Sequence, residues 1–452
     1  MHRFKLIVAA LLLVAISPAA AAGASLWRVS IETQPFGPVE FHLQIDIDNG
    51  SLAARSLSGS VSVLEQLPRA GNVAAGLMAF SAEPSGDDSY TGTITAPWED
   101  GNISLTIDGD ELSAQIDDGF FAGTLRGKRV SEATPVRDYA ALLVDFDRVV
   151  AAKVFSPADL QRPAYLKFRS QLGEVAALAN DDLDILFGFS WLWQNDPFSH
   201  FQFKRSHQSA AEMFAMFDNY RVGFDAATVE FVDDIAILTV RTMMGADTIE
   251  QIVAAYGQVA DADPSALIID LRGNGGGAFA VKPLVEHVID EPVDAGFFIS
   301  QVWNRQHDSP PSRAQAFAAK PWEGWSIIGF WKAVQETDIV RVQFRPAEPN
   351  FDGPVFVLLD ERSASATELA ADALRSSGVT TLVGRQSAGE MLSQSMFDVG
   401  DGFIVSLPVA DYYSVAHGRI EAVGVPVDIE TDPEQAMDTA LKLARNTVSR
   451  TN

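Results

Sequence analysis

A serine lies where a buried strand would meet a helix. The apolar run from Val355 to Leu359 leads into the small-residue turn Arg362-Ser-Ala-Ser-Ala-Thr-Glu368, and helical spacing follows. At such a junction the Oγ of Ser365 would project from the strand end, and the amide of Ala366 would lie at a helix N-terminus, where N–H groups lack intrahelical partners. That amide can donate to the oxyanion of an acyl-transfer intermediate. The same pattern also fits a plain helix N-cap, and this segment alone leaves both interpretations open.

A glycine-rich turn follows a second apolar strand. The run from Ala266 to Asp270 continues as Leu271-Arg-Gly-Asn-Gly-Gly-Gly277. Glycine permits positive φ and close backbone approach, so successive amides can converge on an anion. The segment lacks the Lys-Ser/Thr pair of a phosphate loop and the glycine spacing of a dinucleotide fingerprint. It therefore predicts an anion-binding turn without a nucleotide cofactor.

Together the two segments resemble those of the tail-specific, or C-terminal processing, protease superfamily (peptidase family S41). The segment from Asp270 to Gly277 resembles its oxyanion-glycine segment, and Ser363-Ala-Ser-Ala-Thr-Glu368 resembles its nucleophile segment, with Ser365 at the nucleophile position. The resemblance extends over about residues 138–444. It implies an α/β catalytic core of the ClpP/crotonase-like type with a mostly parallel sheet.

The sequence departs from the best-known branch of that superfamily, which uses a Ser–Lys dyad. The matching stretch here, Gly384-Arg-Gln-Ser-Ala-Gly-Glu390, has Glu390 where the lysine would be. No lysine occurs between Lys332 and Lys442. A Ser–Lys mechanism is therefore not expected, and Glu390 is left either as a cleft residue or as the cap of a turn.

The sequence resembles instead the tricorn-like branch, whose members combine an upstream Ser-His pair with a downstream glutamate. Asn195-Asp-Pro-Phe-Ser-His-Phe201 supplies Ser199 and His200, and Gly418-Arg-Ile-Glu-Ala-Val-Gly-Val-Pro426 supplies Glu421. The resemblance implies a Ser-His-Ser-Glu tetrad in which Ser199 and Glu421 orient the histidine. A carboxylate is the usual group for fixing one imidazole tautomer and stabilising its cation.

The chemistry implied by this resemblance is acyl transfer. A serine hydroxyl is a weak nucleophile until an adjacent base takes its proton, and histidine suits that task near neutral pH. Ser365 would attack a carbonyl while His200 acts as general base and then as general acid. The oxyanion hole would be formed by the backbone amides of Ala366 and of Gly276 or Gly277. No cofactor or metal is required.

Several histidines and one glutamate also fit other roles. Taken alone, His200 also fits a helix-terminal histidine satisfied by backbone carbonyls, and His417 competes for the role of base because it lies near Glu421. Glu368 fits the capping box of the helix after the nucleophile. His207 and His287 have no partner at metal-ligand spacing, so no metal site is expected.

The elements that position these residues form three successive regions. Residues 24–130 alternate apolar and polar residues in short strands, which predicts a β-sandwich or small barrel. Residues 137–220 show helical spacing and predict a helical subdomain. Residues 221–447 alternate strands with helices and predict the α/β peptidase core. Residues 298–350, rich in tryptophan and proline, fit an insertion that forms a lid or a wall of the cleft.

The N-terminus has the pattern of a secretory signal peptide over residues 1–22. Arg3 and Lys5 precede an apolar run from Leu6 to Ile16, and alanines follow up to Ala22. The run is short for a membrane-spanning helix. Because no later segment has eighteen consecutive apolar residues, we expect no membrane insertion after cleavage and a periplasmic or secreted protein.

Composition excludes several classes of function. The 452 residues carry a formal net charge of −27, which argues against a nucleic-acid partner because phosphate binding needs concentrated positive charge. Cysteine is absent, so disulfides, thiol nucleophiles and thiolate metal sites are excluded.

The sequence thus predicts an exported serine hydrolase, a peptidase acting on a peptide or protein substrate. Two alternatives remain at this point. One is a non-catalytic protein that binds an apolar ligand or a peptide on the same scaffold, since the superfamily contains retinoid-binding members. The other is an esterase that uses the same residues. No PDZ-sized segment intervenes between His200 and Arg221, so recognition of a free C-terminal tail is in doubt.

Overall fold

The computed structural model describes residues 24–60, 63–64, 77–96, 100–117, 121–193, 197–324 and 326–451. The expected signal peptide at residues 1–22 lies outside these described residues. The chain divides into two compact units. The first contains the residues up to Arg137 together with Leu178–Ile185, and the second contains Asp138–Ala177 and Leu186–Asn452.

The first unit is a closed barrel of eight antiparallel strands, in which β1 pairs with both β2 and β8. Buried and exposed residues alternate along β1, as the sequence pattern predicts. The prediction of an all-β N-terminal region is confirmed, and of the two architectures considered the barrel is present. The strands are β1 (Ser25–Thr33), β2 (Gly37–Asp48), β3 (Ser51–Ser56), β4 (Ala79–Gly86), β5 (Ser89–Thr95), β6 (Asp100–Asp108), β7 (Glu111–Ile116) and β8 (Gly123–Val130).

Buried carboxylates attach the segment Leu178–Ile185 to the barrel within this unit. Asp181 accepts a hydrogen bond from the backbone amide of His42 at 3.0 Å, and Asp184 accepts from the amide and hydroxyl of Ser60 at 3.2 and 2.5 Å. Burial raises the pKa of both aspartates. His42 is therefore a packed barrel residue.

The second unit begins with helices and contains both the region expected to form a helical subdomain and the α/β core. Asp138 caps α1 by accepting from the amide of Ala141. Ser156 precedes a short 3-10 helix, Pro157–Gln161, with proline at its first position. The further elements of this part are α1 (Tyr139–Lys153), α2 (Pro163–Leu178), α3 (Asp182–Leu192), β9 (Gln202–Arg205), α4 (Ala210–Phe217), β10 (Ala227–Val232), β11 (Ile235–Val240), α5 (Ala246–Ala262), β12 (Ala266–Asp270) and α6 (Val281–Glu286).

The rest of the second unit alternates strands and helices. Its elements are β13 (Val293–Ser300), α7 (Gln301–Asn304), α8 (Arg313–Ala318), α9 (Ile327–Glu336), β14 (Ile339–Phe344), β15 (Val355–Leu359), α10 (Ala366–Ser377), β16 (Thr380–Gly384), β17 (Ser393–Gly400), β18 (Phe403–Ser414), β19 (Gly418–Arg419), β20 (Ile429–Glu430) and α11 (Pro433–Thr451).

Two sheets organise this unit. The first has the order β10-β11-β12-β15-β16-β20, with every pair parallel except β10 and β11. It is the mostly parallel sheet expected from the sequence, and its strands end beside the two candidate segments. The second sheet, β14-β13-β18-β17, is antiparallel and was not predicted. Among the described residues, no helix combines the length and apolar character needed to cross a membrane.

Candidate active site

The nucleophile turn is held in an uncommon backbone conformation. Ser365 immediately precedes α10 and has φ 57° and ψ −121°, a region that L-residues rarely occupy. Such conformations cost of order 1–3 kcal/mol and persist only where surrounding contacts enforce them. Here the amide of Ala364 donates to the carbonyl of Asn274 at 3.0 Å, and Ser363 donates from its Oγ to the carbonyl of Leu271 at 2.9 Å. The two candidate segments therefore fix each other.

A hydrogen-bonded chain joins the four residues expected to form the tetrad. The Nε2 of His200 lies 3.3 Å from the Oγ of Ser365, and its Nδ1 lies 2.7 Å from the Oγ of Ser199. Ser199 donates from its Oγ to Oε2 of Glu421 at 3.1 Å. An ionised carboxylate only accepts, so the hydroxyl of Ser199 points to Glu421 and accepts from Nδ1–H of His200. The lone pair of Nε2 then faces Ser365.

Buried aromatic rings hold the loop that carries Ser199 and His200. Phe198 and Phe201 flank the pair and pack against Trp193, with the three ring centroids 4.7 to 5.5 Å apart. His200 itself has φ 59°, a second uncommon backbone conformation at the site. The loop therefore has little freedom to turn the imidazole away from Ser365.

Burial sets the protonation states of the base and of its carboxylate partner. Burial lowers the pKa of His200 to about 4, so the imidazole is neutral at pH 7 and able to accept a proton. Burial raises the pKa of Glu421, and this shift is opposed by donors from the amides of Ser199 and Met391 at 2.8 Å and by the charge of Arg419.

The backbone geometry distinguishes between the two candidate glycines. The amide of Gly276 donates to the side-chain oxygen of Asn274 at 2.9 Å and is therefore engaged. No hydrogen bond from the amide of Gly277 is found among the described residues. Ala366 is the first residue of α10, so its amide has no intrahelical partner. The amides left for an oxyanion are those of Gly277 and Ala366.

Position 276 requires glycine for another reason, because its backbone lies very close to the turn that carries Ser365. A Cβ at this position would lie 2.6 Å from the carbonyl oxygen of Ala364 and 2.7 Å from the Cβ of Ser365. Its φ of 90° also disfavours any other residue. The glycine-rich turn is thus needed to bring the two strand ends together as well as to present an amide.

The other candidates from the sequence lie elsewhere. His417 bonds Asp372 through Nδ1 at 2.9 Å and Arg375 through Nε2 at 2.7 Å, whereas the histidine beside Ser365 is His200. Glu390 is not among the residues that line the cleft. His287 is buried, with its Nδ1 2.7 Å from the carbonyl of Pro349. Within the described residues, no group of three or more His, Asp or Glu side chains is arranged to hold a metal ion.

Sequence reasoning missed several residues that shape the site. Asn274 bonds the amide of Gly276, Met391 donates to Glu421, and the carboxylate of Glu368 receives four donors rather than serving only as a helix cap. Only Glu368 had a signal in the sequence, its position three residues after the serine. The others act through backbone groups or a single amide, which no residue pattern marks.

A cavity of about 400 Å³ opens beside Ser365. The stretch 298–350, expected to form a lid or wall, contributes much of its lining. Most of the lining side chains are apolar, and they include Phe217, Met244, Phe298, Trp322, Phe330 and Trp331. The candidate site is therefore a cluster of polar side chains at the edge of an apolar cavity.

The chain is similar to known peptidases over part of its length. The family model described as "Peptidase family S41" matches residues 234–431, a range that contains Ser365 and Glu421. A carboxyl-terminal-processing protease of Picosynechococcus sp. is 26% identical over 193 residues, which cover 42% of this chain and 37% of that protein. One of Synechocystis sp. is 38% identical over 77 residues, or 17% and 18% of the two chains. The chain thus spans well under half the length of these curated relatives.

Several solved structures are similar to this chain at low sequence identity. A putative peptidase from Parabacteroides merdae is 12% identical, covers 68% of this chain and 97% of its own, and gives a TM-score of 0.46. The tricorn protease is 10% identical, covers 91% of this chain and 54% of its own, and gives a TM-score of 0.40.

Proposed function

We propose that this protein is an exported serine peptidase that cleaves amide bonds through an acyl-enzyme on Ser365. The observation that carries the proposal is the hydrogen-bonded chain from Ser365 through His200 and Ser199 to Glu421, with distances of 3.3, 2.7 and 3.1 Å. Each distance is within or just beyond hydrogen-bond range, as is usual for a catalytic set without substrate.

The reaction proceeds in two acyl transfers. The Oγ of Ser365 attacks the carbonyl carbon while its proton passes to Nε2 of His200, and the amides of Gly277 and Ala366 hold the resulting oxyanion. The amide C–N bond then breaks, and the amine leaves with the proton from His200. A water molecule, deprotonated by His200, attacks the acyl carbon; the ester C–O bond then breaks, and the Oγ of Ser365 leaves with the proton from His200. Every step uses groups of this chain and water.

The apolar cavity indicates the kind of substrate. It borders both Ser365 and the oxyanion amides, so the residue next to the cleaved bond would place its side chain there. An apolar side chain of the size of leucine or phenylalanine gains about 1.5–3 kcal/mol when fully buried. We therefore assign a peptide or protein substrate with a bulky apolar residue beside the cleaved bond.

Finer assignments rest on the sequence together with this geometry. The tricorn-like tetrad is supported by the Ser199, His200 and Glu421 contacts, and a ClpP/crotonase-like core by the parallel strands β11, β12, β15 and β16. Export to the periplasm or the medium is supported by the signal pattern of residues 1–22. A non-catalytic apolar-ligand protein is the second candidate, since the cavity would suit such a ligand.

Digestion of a random peptide library tests the proposal. The chain lacking residues 1–22 should cut peptides beside bulky apolar residues, and Ser365→Ala should abolish the cuts. Hydrolysis of p-nitrophenyl esters without any peptide cleavage would indicate an esterase. Tight binding of apolar ligands by a folded protein that cleaves neither substrate class would contradict the proposal and favour the binding protein.

A further inference from the structure

Glu368 is a fully buried carboxylate that contacts the nucleophile turn but takes no part in the proton transfers. Its Oε2 accepts from the amide of Ser365 at 3.0 Å and from the amide of Glu390 at 2.8 Å. Its Oε1 accepts from the hydroxyl of Ser387 at 2.6 Å and from the amide of Gly389 at 2.7 Å. Four donors therefore converge on one side chain that has no exposure to solvent.

The loop bound by Glu368 also reaches the orienting carboxylate of the tetrad. The next amide along the chain, that of Met391, donates to Oε2 of Glu421 at 2.8 Å. The carbonyl of Gly389 accepts from the amide of Ala422 at 2.7 Å. Adjacent amides of one short loop thus bond Glu368, which contacts the backbone of Ser365, and Glu421, which contacts Ser199 beside His200.

The chemistry of this position requires a carboxylate. Ionised Glu368 offers only acceptors, which matches four converging N–H and O–H donors. Burial raises its pKa, and the four donors oppose that shift. A glutamine would have the same shape but would turn an NH₂ group toward these donors. That NH₂ group would face either the amides of Ser365 and Glu390 or the hydroxyl of Ser387 and the amide of Gly389, and two of the four donors would lose their acceptor.

We propose that Glu368 is a positioning residue for catalysis, one that holds Ser365 in its uncommon backbone conformation and in register with Glu421 through the loop 387–391. The inference rests on the proposed function, because it assumes that Ser365 is the nucleophile. It predicts that loss of the carboxylate slows the attack of Ser365 more than it weakens ligand binding.

The same helix provides a matched control. Asp372 is also fully buried and accepts from the hydroxyls of Tyr412 and Ser414 at 2.8 Å and from His417, but it contacts neither Ser365 nor the loop. Asp372→Asn therefore makes the same carboxylate-to-amide change with a comparable loss of buried hydrogen bonds. It reports the purely structural cost of such a change in α10.

The test uses an alkyl fluorophosphonate probe and separates the maximal labelling rate constant, kinact, from the probe concentration at half-maximal rate, KI. Glu368→Gln should lower kinact about 100-fold with KI within about threefold of the wild type, because alignment of the nucleophile is lost. Glu368→Asp should recover part of the rate. Asp372→Asn should keep kinact within about threefold even if its melting temperature falls as much as that of Glu368→Gln.

The proposal is overturned if folded Glu368→Gln labels as fast as Asp372→Asn, or if only KI changes. Should Glu368→Gln not fold, Ser387→Ala replaces it, because that change leaves the carboxylate in place and removes one of its donors, together with the acceptor of the Val425 amide. It should lower kinact about tenfold, and a wild-type rate would again overturn the proposal. Failure of the proposed function looks different, since the wild-type protein itself would then not be labelled at Ser365.

Discussion

At the scale of single residues, the proposed tetrad depends on the hydroxyl of Ser199, which hydrogen-bonds both His200 and Glu421. Ser199 separates His200 from Glu421, so the carboxylate fixes the imidazole tautomer through a hydroxyl rather than directly. The amide of Ser199 also donates to Glu421 at 2.8 Å, which fixes the backbone from which that hydroxyl projects. The arrangement gives His200 a single proton position while its outer nitrogen remains free to accept.

The lowered pKa of His200 predicts the acidic limb of activity. A neutral imidazole is needed to accept the proton of Ser365, and burial sets its pKa near 4 rather than near the usual 6.5. Activity is therefore present above the folded pKa and lost as the pH falls through it. Fluorophosphonate labelling at pH 5.5 should stay within about twofold of the rate at pH 7.5. A limb centred near pH 6.5 would contradict this assignment of the base.

The four residues of the proposed tetrad could be predicted from the sequence only by considering their segments together. Ser365, Ser199, His200 and Glu421 lie in three distant segments, and the structure brings them together as the resemblance implies. Their catalytic roles remain predictions. The left-handed backbone at Ser365 and His200 was not predictable, because neither residue type favours it and only tertiary contacts enforce it.

At the scale of elements, the mostly parallel sheet was predicted and the antiparallel sheet was not. Both β12 and β15 are buried throughout, and they are apolar except for Asp270 at the end of β12, which is typical of parallel strands covered on both faces. β18 is also buried along almost its whole length, so it lacks the alternation that identifies an antiparallel strand. Its partner β13 is distant in sequence, and such long-range pairing leaves no local pattern. Its other partner, β17, is joined to it by the two-residue turn Asp401-Gly402, a hairpin signal that the prediction from sequence did not use.

We expect a substitution in the wall of the cavity to weaken probe binding without slowing the reaction of Ser365. Phe330 on α9 lines the cavity and packs against Phe298 and Trp322, with ring centroids 5.1 and 5.3 Å away. Phe330→Ala removes apolar surface from the pocket but no group from the tetrad. It should raise KI for a fluorophosphonate with a bulky apolar chain by about tenfold or more, with kinact within about threefold.

Phe231→Ala on β10 is the control for this change, because its ring is 45% exposed and lies outside the cavity. That variant should keep the wild-type KI. A Phe330→Ala variant that binds the bulky probe as well as the wild type does would mean that the ligand does not occupy this cavity.

At the scale of the whole molecule, the two units differ in how much the sequence says about them. The all-β character of the first unit was predictable from short alternating strands, whereas the choice between a sandwich and a barrel was not, and its sequence contains no pattern that indicates chemistry. The second unit contains every residue of the candidate site. The net charge of −27 applies to the whole chain and argues against nucleic acid as a partner.

The account as a whole depends on Ser365 being a nucleophile that His200 activates. The most direct measurement is mass-spectrometric mapping of the adduct after the chain without residues 1–22 has reacted with a fluorophosphonate. We predict one adduct, on the peptide that contains Ser365, and a labelling rate at least about 100-fold lower in His200→Ala. An adduct on another serine, or wild-type labelling of Ser365 in His200→Ala, would contradict the central claim.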